Sequence, residues 1–209
     1  MCPDREDAID SARALAELHA AVDREAEALA RVHAGRLQCR RGCAGCCVDD
    51  LTVTRIEAEG IRRAHPELLA SGEPHPVGAC AFLDGAGACR VYAERTLVCR
   101  TQGLPLRLFF EDEAGEIEER RDICPLNQAG GPPLDRLSDD ALWLVGVHEL
   151  RLTTLDEAHG GSEETRVRLR DLFAASSPAG RDPAQPGSRS PDHCSLSATS
   201  LFAPSRSRA

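Results

Sequence analysis

The sequence predicts an α+β fold, mainly α, in which a small cysteine-dense segment with one or two β-hairpins lies between helices and a disordered tail follows. Three observations carry that expectation. Apolar residues near the N-terminus recur at helical spacing, and eight of the ten cysteines fall within the 86 residues from Cys39 to Cys124. From residue 175 onward, 16 of 35 residues are Ser, Pro or Gly. The chain therefore divides into an N-terminal helix (1–38), a cysteine segment (39–124), C-terminal helices (125–174) and a disordered tail (175–209).

Residues 4–34 read as one helix that Asp4 can cap and Gly35 can end. Leu15, Leu18, Val22, Leu29 and Val32 form a heptad-like stripe interrupted by Glu25. The stripe is short, so packing on the protein's own body is expected over a coiled coil. Thr54 and Glu57 have the spacing of a capping box for a helix through Ala64, which Pro66 closes. The stretch from Cys80 to Tyr92 reads as a hairpin about Asp84-Gly85, with Cys80 and Cys89 close together on neighbouring strands. A second hairpin is expected where Leu106, Leu108 and Phe110 alternate before the polar turn Glu111 to Glu116 and a return through Ile117. Its return strand is almost wholly charged, which weakens the pattern. Ser138 can cap a helix to about Leu152 with Leu137, Ala141, Leu144 and Val145 on its apolar side, and Ser162 can open a last helix to about Phe173. The tail lacks the apolar content to fold, and Cys194 within it reads as an incidental thiol.

The formal net charge of −9 argues against a nucleic-acid surface, which needs concentrated positive charge. No apolar run is long enough to span a membrane; the best, Ala141 to Val147, is seven residues with a glycine inside. The opening Met1-Cys2-Pro3-Asp4-Arg5-Glu6-Asp7 has no secretory pattern, so a cytoplasmic location is expected. Thiols there stay reduced, and clustered cysteines are more often ligands than disulfides. Only seven residues are aromatic, so aliphatic side chains must carry the packing, and coordination bonds would make up part of the deficit. All 25 basic residues are arginine, which the codon usage of a GC-rich genome explains. Arg40, Arg41, Arg90, Arg95 and Arg100 stand beside cysteines and can offset a negative thiolate centre, though a solvated surface position is the simpler expectation for each.

The cysteine spacing C-x3-C-x2-C-C lets thiolates from one tight turn face one ion, with Gly42 and Gly45 supplying backbone freedom. Eight thiols divide into two tetrahedral zinc sets, and an iron–sulfur cluster also takes four thiolates, so spacing leaves both open. Cys46 and Cys47 are adjacent; on an extended backbone their side chains diverge and would serve different centres. Cys39, Cys43 and Cys46 have the spacing of the cluster ligands in radical S-adenosylmethionine enzymes, but the alternating strand–helix units of such a barrel are missing. His65 and His75 fall between the cysteine groups and fit exposed loops better than ligation, while His148 beside Trp143 fits packing. No phosphate loop, Ser-His-Asp arrangement or nucleophile elbow is present, so no catalytic residue is named and whether the chain is an enzyme stays open. The acidic run Glu111 to Glu119 reads as a solvated turn.

The run Cys39-Arg-Arg-Gly-Cys43-Ala-Gly-Cys46-Cys47, then Cys80-Ala-Phe-Leu, Gly87-Ala-Cys89-Arg-Val-Tyr92 and Arg95-Thr-Leu-Val-Cys99-Arg100, resembles the YkgJ-type cysteine-cluster family. These bacterial proteins are described as zinc- or iron-chelating and are sometimes labelled iron–sulfur oxidoreductases. The resemblance covers about residues 39–124 and implies Cys39, Cys43, Cys46, Cys47, Cys80, Cys89, Cys99 and Cys124 as ligands of an iron–sulfur cluster or Zn2+. The family's cysteine domain also occurs in a flagellin lysine methylase. This chain departs from the family at Thr96, where proline is common, and at Gln102-Gly103, where an aromatic residue and proline often follow. Three functions follow as expectations: a cluster protein with a redox or electron-transfer role and a redox partner; a zinc-stabilised module whose flanking helices present a surface to a protein partner; and a cluster-containing modifying enzyme such as a protein methyltransferase.

Overall fold

The computed structural model of the chain describes residues 5–173; the expected Asp4 cap, Cys2, the tail and Cys194 lie outside them. Helix α1 (Arg5–Val32) is the long N-terminal helix that the stripe predicts. Leu15 and Val22 are buried and Leu18 and Leu29 half-buried, whereas Val32 at the end of the stripe is 65% exposed. The interrupting Glu25 reaches out to His148 at 2.9 Å.

Strand β1 (Thr52–Val53) leads into α2 (Arg55–Ala64), and the backbone N–H and hydroxyl of Thr54 both donate to Glu57, the predicted capping partner. Pro66 ends α2 as expected and also starts α3 (Pro66–Ser71), since proline's missing N–H costs nothing in a first turn. Cys99 rides on the short α4 (Leu97–Thr101). Strands β2 (Leu106–Glu111) and β3 (Ile117–Asp122) pair antiparallel in full register, from Leu106 opposite Asp122 to Glu111 opposite Ile117. The charged return strand is therefore real: β3 is an edge strand exposed to water over most of its length, where charge is favourable.

The C-terminal part departs from expectation. No helix starts at Ser138; a single 3-10 turn (Asp139–Ala141) runs into β4 (Trp143–Leu144), which pairs parallel to β2 with Trp143 opposite Leu106. Gly146, at φ 116°, then turns the chain into α5 (Val147–Ala158). Ser162 precedes another 3-10 turn, followed by β5 (Val167–Arg168) against β1 and a 3-10 turn over Leu169–Leu172. Long-range pairing to β1 and β2 overrides the local helical patterns here.

Two apolar cores result. One joins Leu15, Val22 and Ala26 of α1 to Ile56, Leu97, Leu106, Leu108, Trp143 and Leu152. The other joins Val53, Ala58, Ile61, Leu69, Phe82, Leu169 and Phe173, with the Phe82 and Phe173 rings 5.1 Å apart, and Cys80 and Cys89 pack against it. Helix α2 serves both cores. Between them sits the fully buried Glu57, whose Oε1 accepts the Leu97 N–H at 2.8 Å and lies 3.6 Å from His19 Nε2. Asp156 of α5 accepts the Ile56 N–H at 2.8 Å.

Burial pushes the Glu57 carboxyl upward, but the neighbouring His19 ring and the hydrogen bonds from the Leu97 N–H and Thr54 outweigh it and hold the group below its usual range. A carboxyl depressed in the fold stabilises it above the unfolded pKa, and that contribution is lost as pH falls through the folded value. Glu57→Gln should lower the unfolding free energy at pH 7 by about 2–4 kcal/mol. The gap to the unsubstituted protein in urea unfolding should narrow below pH ~4; a gap that does not change with pH would exclude a role for the charge.

Candidate metal centre

Consecutive tight turns build the first cysteine group. The Cys43 N–H donates to the Arg40 carbonyl at 2.9 Å and the Cys47 N–H to the Ala44 carbonyl at 3.0 Å. Gly42 takes φ 83°, and a side chain there would press on the Ala86 carbonyl at 3.4 Å. The turn about Asp84 therefore lies directly against the turn about Gly42.

The predicted hairpin at Cys80–Tyr92 is realised only as a single antiparallel bridge, Leu83 to Cys89. Asp84 explains why: its Oδ1 accepts the N–H groups of Ala86 and Ala88 at 2.8 Å, closing a loop wider than a two-residue turn. The left-handed residue is Gly87 at φ 74°, not Gly85. The loop still brings Cys89 within electrostatic reach of Cys80. The Cys80 N–H donates to the Cys47 carbonyl at 2.9 Å, which docks the loop on the first cysteine group.

Cys124 and Cys39 are brought together by a residue the sequence did not single out. Asn127 is wholly buried in the turn after Cys124, and its N–H donates to the Cys124 carbonyl at 2.7 Å. Its Oδ1 accepts the Gln38 N–H at 2.8 Å, and its Nδ2 donates to the Gly103 carbonyl at 2.8 Å and to Cys39 Sγ at 3.5 Å. Gly103 has φ 94°, and a side chain there would come within 2.5 Å of Cys39 Sγ. The available sequence signal is thin: an asparagine three residues after the last cysteine and a glycine four residues after Cys99. Thr96, where the family commonly has proline, uses its hydroxyl instead, 3.4 Å from Cys99 Sγ.

All eight cysteines are free thiols, and all but Cys39 are half-buried. Cys39, Cys43, Cys46, Cys47, Cys80, Cys89 and Cys99 line one cavity of about 760 Å³, and Cys124 lies within electrostatic reach of Cys39. Among the described residues, no group of three or more His, Cys, Asp or Glu side chains already converges as a metal site; the thiols surround a space. Burial pushes the thiols of Cys39, Cys80, Cys89 and Cys99 up, that of Cys99 to about 12 despite the Thr96 hydroxyl. A metal taking these thiols must displace their protons.

Two expectations need correction. Cys46 and Cys47 do not stand on an extended backbone: the Ala44–Cys47 turn removes the geometry on which the expected divergence rests, and the two thiols interact with one another. That interaction lowers the Cys46 thiol to about 6 and raises Cys47. Nor are the neighbouring arginines uniformly solvated. Arg100 is buried on Asp23 at 2.5 Å, with further contacts to His19 and the Ala93 carbonyl, and Arg95 shares Asp23 at 3.1 Å. Arg90 donates to the carbonyls of Glu73 and Ala81. Arg40 and Arg41 remain exposed on the cavity wall. His65 is held by Glu94 at 2.6 Å, and His148 stacks on Trp143 as expected.

Residues 38–125 match the model of a family described as a "putative zinc- or iron-chelating domain" and named for the motif CxxCxxCC. This is the family that the cysteine pattern resembles, and the chain inserts one extra residue between the first two cysteines of the motif. No curated protein and no solved structure matches the chain. The family's description names zinc or iron, and the donor set here fits either: sulfur only and gathered about one cavity.

Asn127→Ala should cost about 2–3 kcal/mol in urea unfolding, because two backbone groups and a thiol lose their buried partner. Gly103→Ala should destabilise by more than ~1 kcal/mol through its left-handed backbone and should displace Cys39. Unchanged alkylation of Cys39 in that variant, followed by mass spectrometry, would refute the close contact.

Proposed function

We propose that the eight central cysteines coordinate iron–sulfur clusters and that the protein serves electron transfer or redox chemistry in the cytoplasm. The observation that carries this is that seven of the eight thiols, brought from four separate stretches of chain, line one cavity of about 760 Å³. Zinc would take the same thiolates four to an ion at about 2.3 Å and is the alternative to be tested. An inorganic iron–sulfide core occupies space between its cysteines. When bound, such a core supplies one-electron chemistry. The chain's own part is to set its potential and limit its contact with water.

Two side chains support that role. The Asn127 amide and the Thr96 hydroxyl approach the sulfurs of Cys39 and Cys99, and hydrogen bonds to ligand sulfur raise a cluster's potential by spreading thiolate charge. Arg40 and Arg41 add positive charge at the exposed wall, where an acidic redox partner can approach. The free thiols agree with a reducing compartment.

Protein purified without oxygen should be brown and contain iron and acid-labile sulfide in similar amounts. A colourless protein carrying zinc would overturn the redox function and leave a zinc-stabilised interaction module in its place. Cys43→Ser should lose bound metal and melt at lower temperature, whereas Cys194→Ser should do neither; identical behaviour of the two would refute the ligand assignment.

A further inference from the structure

Hydrogen bonds and one strand bridge tie Cys47, Cys80 and Cys89 into one group and Cys39 and Cys124 into another, and the remaining thiols lie beside one or the other. In one, the Cys80 N–H is bonded to the Cys47 carbonyl, and the Cys80 carbonyl accepts the N–H of Leu83, the residue bridged to Cys89. Cys99 enters the same group from α4, and the thiol charges acting on it most strongly are those of Cys80 and Cys89. Cys47 in turn interacts with Cys80 and Cys99. In the other group, Asn127 holds the Cys124 carbonyl, the Gln38 N–H and the Cys39 sulfur at once. The thiols acting on Cys39 are Cys43, Cys124 and Cys46. The groups meet at the adjacent residues Cys46 and Cys47.

We infer that the protein holds two separate metal centres joined by the Cys46–Cys47 peptide, one on Cys39, Cys43, Cys46 and Cys124 and the other on Cys47, Cys80, Cys89 and Cys99. Each set contains four sulfurs, the number that one tetrahedral ion or one cubic cluster takes. Each draws on a different part of the fold. The first hangs on the Asn127 turn and Gly103, and the second on α4, the Asp84 loop and the second core, against which Cys80 and Cys89 pack. Each of the two adjacent thiols would turn to its own centre and release its proton to water. The inference rests on metal binding by these thiols but not on which metal is native.

The test uses the full chain, with zinc as the probe under reducing, oxygen-free conditions. The unsubstituted protein should saturate at two ions per chain, each in an all-sulfur environment by X-ray absorption. Cys124→Ala and Cys99→Ala should each halve the zinc bound. The pair Cys39→Ala with Cys124→Ala should bind as much as Cys124→Ala alone, and Cys99→Ala with Cys124→Ala should bind none tightly. A single substitution that abolishes all binding in a protein whose circular dichroism is unchanged would overturn the partition in favour of one shared centre. Saturation of the unsubstituted protein at one ion would do the same, and it needs no variant to fold. A protein that takes up no metal at all would instead refute the proposed function.

Discussion

Buried side chains that bond to the backbone, rather than long helices or strands, fix the cysteine-bearing loops. Among the eight cysteines only Cys99 lies in a regular helix, and that helix has five residues. Such loops carry backbone groups that must be satisfied individually. Glu57 takes the Leu97 N–H at the head of the Cys99 helix, Asn127 ties together three stretches of chain, Asp84 closes the loop between Cys80 and Cys89, and Arg90 binds carbonyls beside Cys80. Each bond alone is worth about 1 kcal/mol, but removing a partner strands a buried polar group at a higher cost. The donor geometry is therefore a property of second-layer residues as much as of the cysteines.

Those residues also connect the centre to the long N-terminal helix. Asp23 of α1 meets both Arg95 and Arg100, the latter buried directly after Cys99, and His19 of the same helix faces Glu57 and Arg100. Arginines beside the cysteines thus act chiefly as structural ties. Their positive charge remains close enough to moderate the field of a thiolate centre, as the effects of Arg90 and Arg95 on Cys89 show.

The sequence made the chemistry legible before the geometry. Clustered thiols at turn spacing point to metal ligation, the chemistry that the matching family's description also names. Helix α1, the capping box at Thr54 and the β2–β3 hairpin were also visible, since each writes its pattern into neighbouring residues. The misreadings share a cause. Trp143 is extended because it pairs with Leu106, and Val167 because it pairs with Val53, and neither partner is near in sequence. Asn127 escaped notice for the same reason, as Cys39 lies 88 residues away. Where a short element owes its shape to a distant one, local propensity has nothing to report.

Helix α2 contributes Ile56 to one core and Ala58 and Ile61 to the other, and the first core takes Leu15, Val22, Trp143 and Leu152 from beyond residues 38–125. Excised at its family boundaries, the cysteine-bearing piece would bare Ile56, Leu97, Leu106 and Leu108 to water as one contiguous greasy patch and would clump rather than stay dissolved.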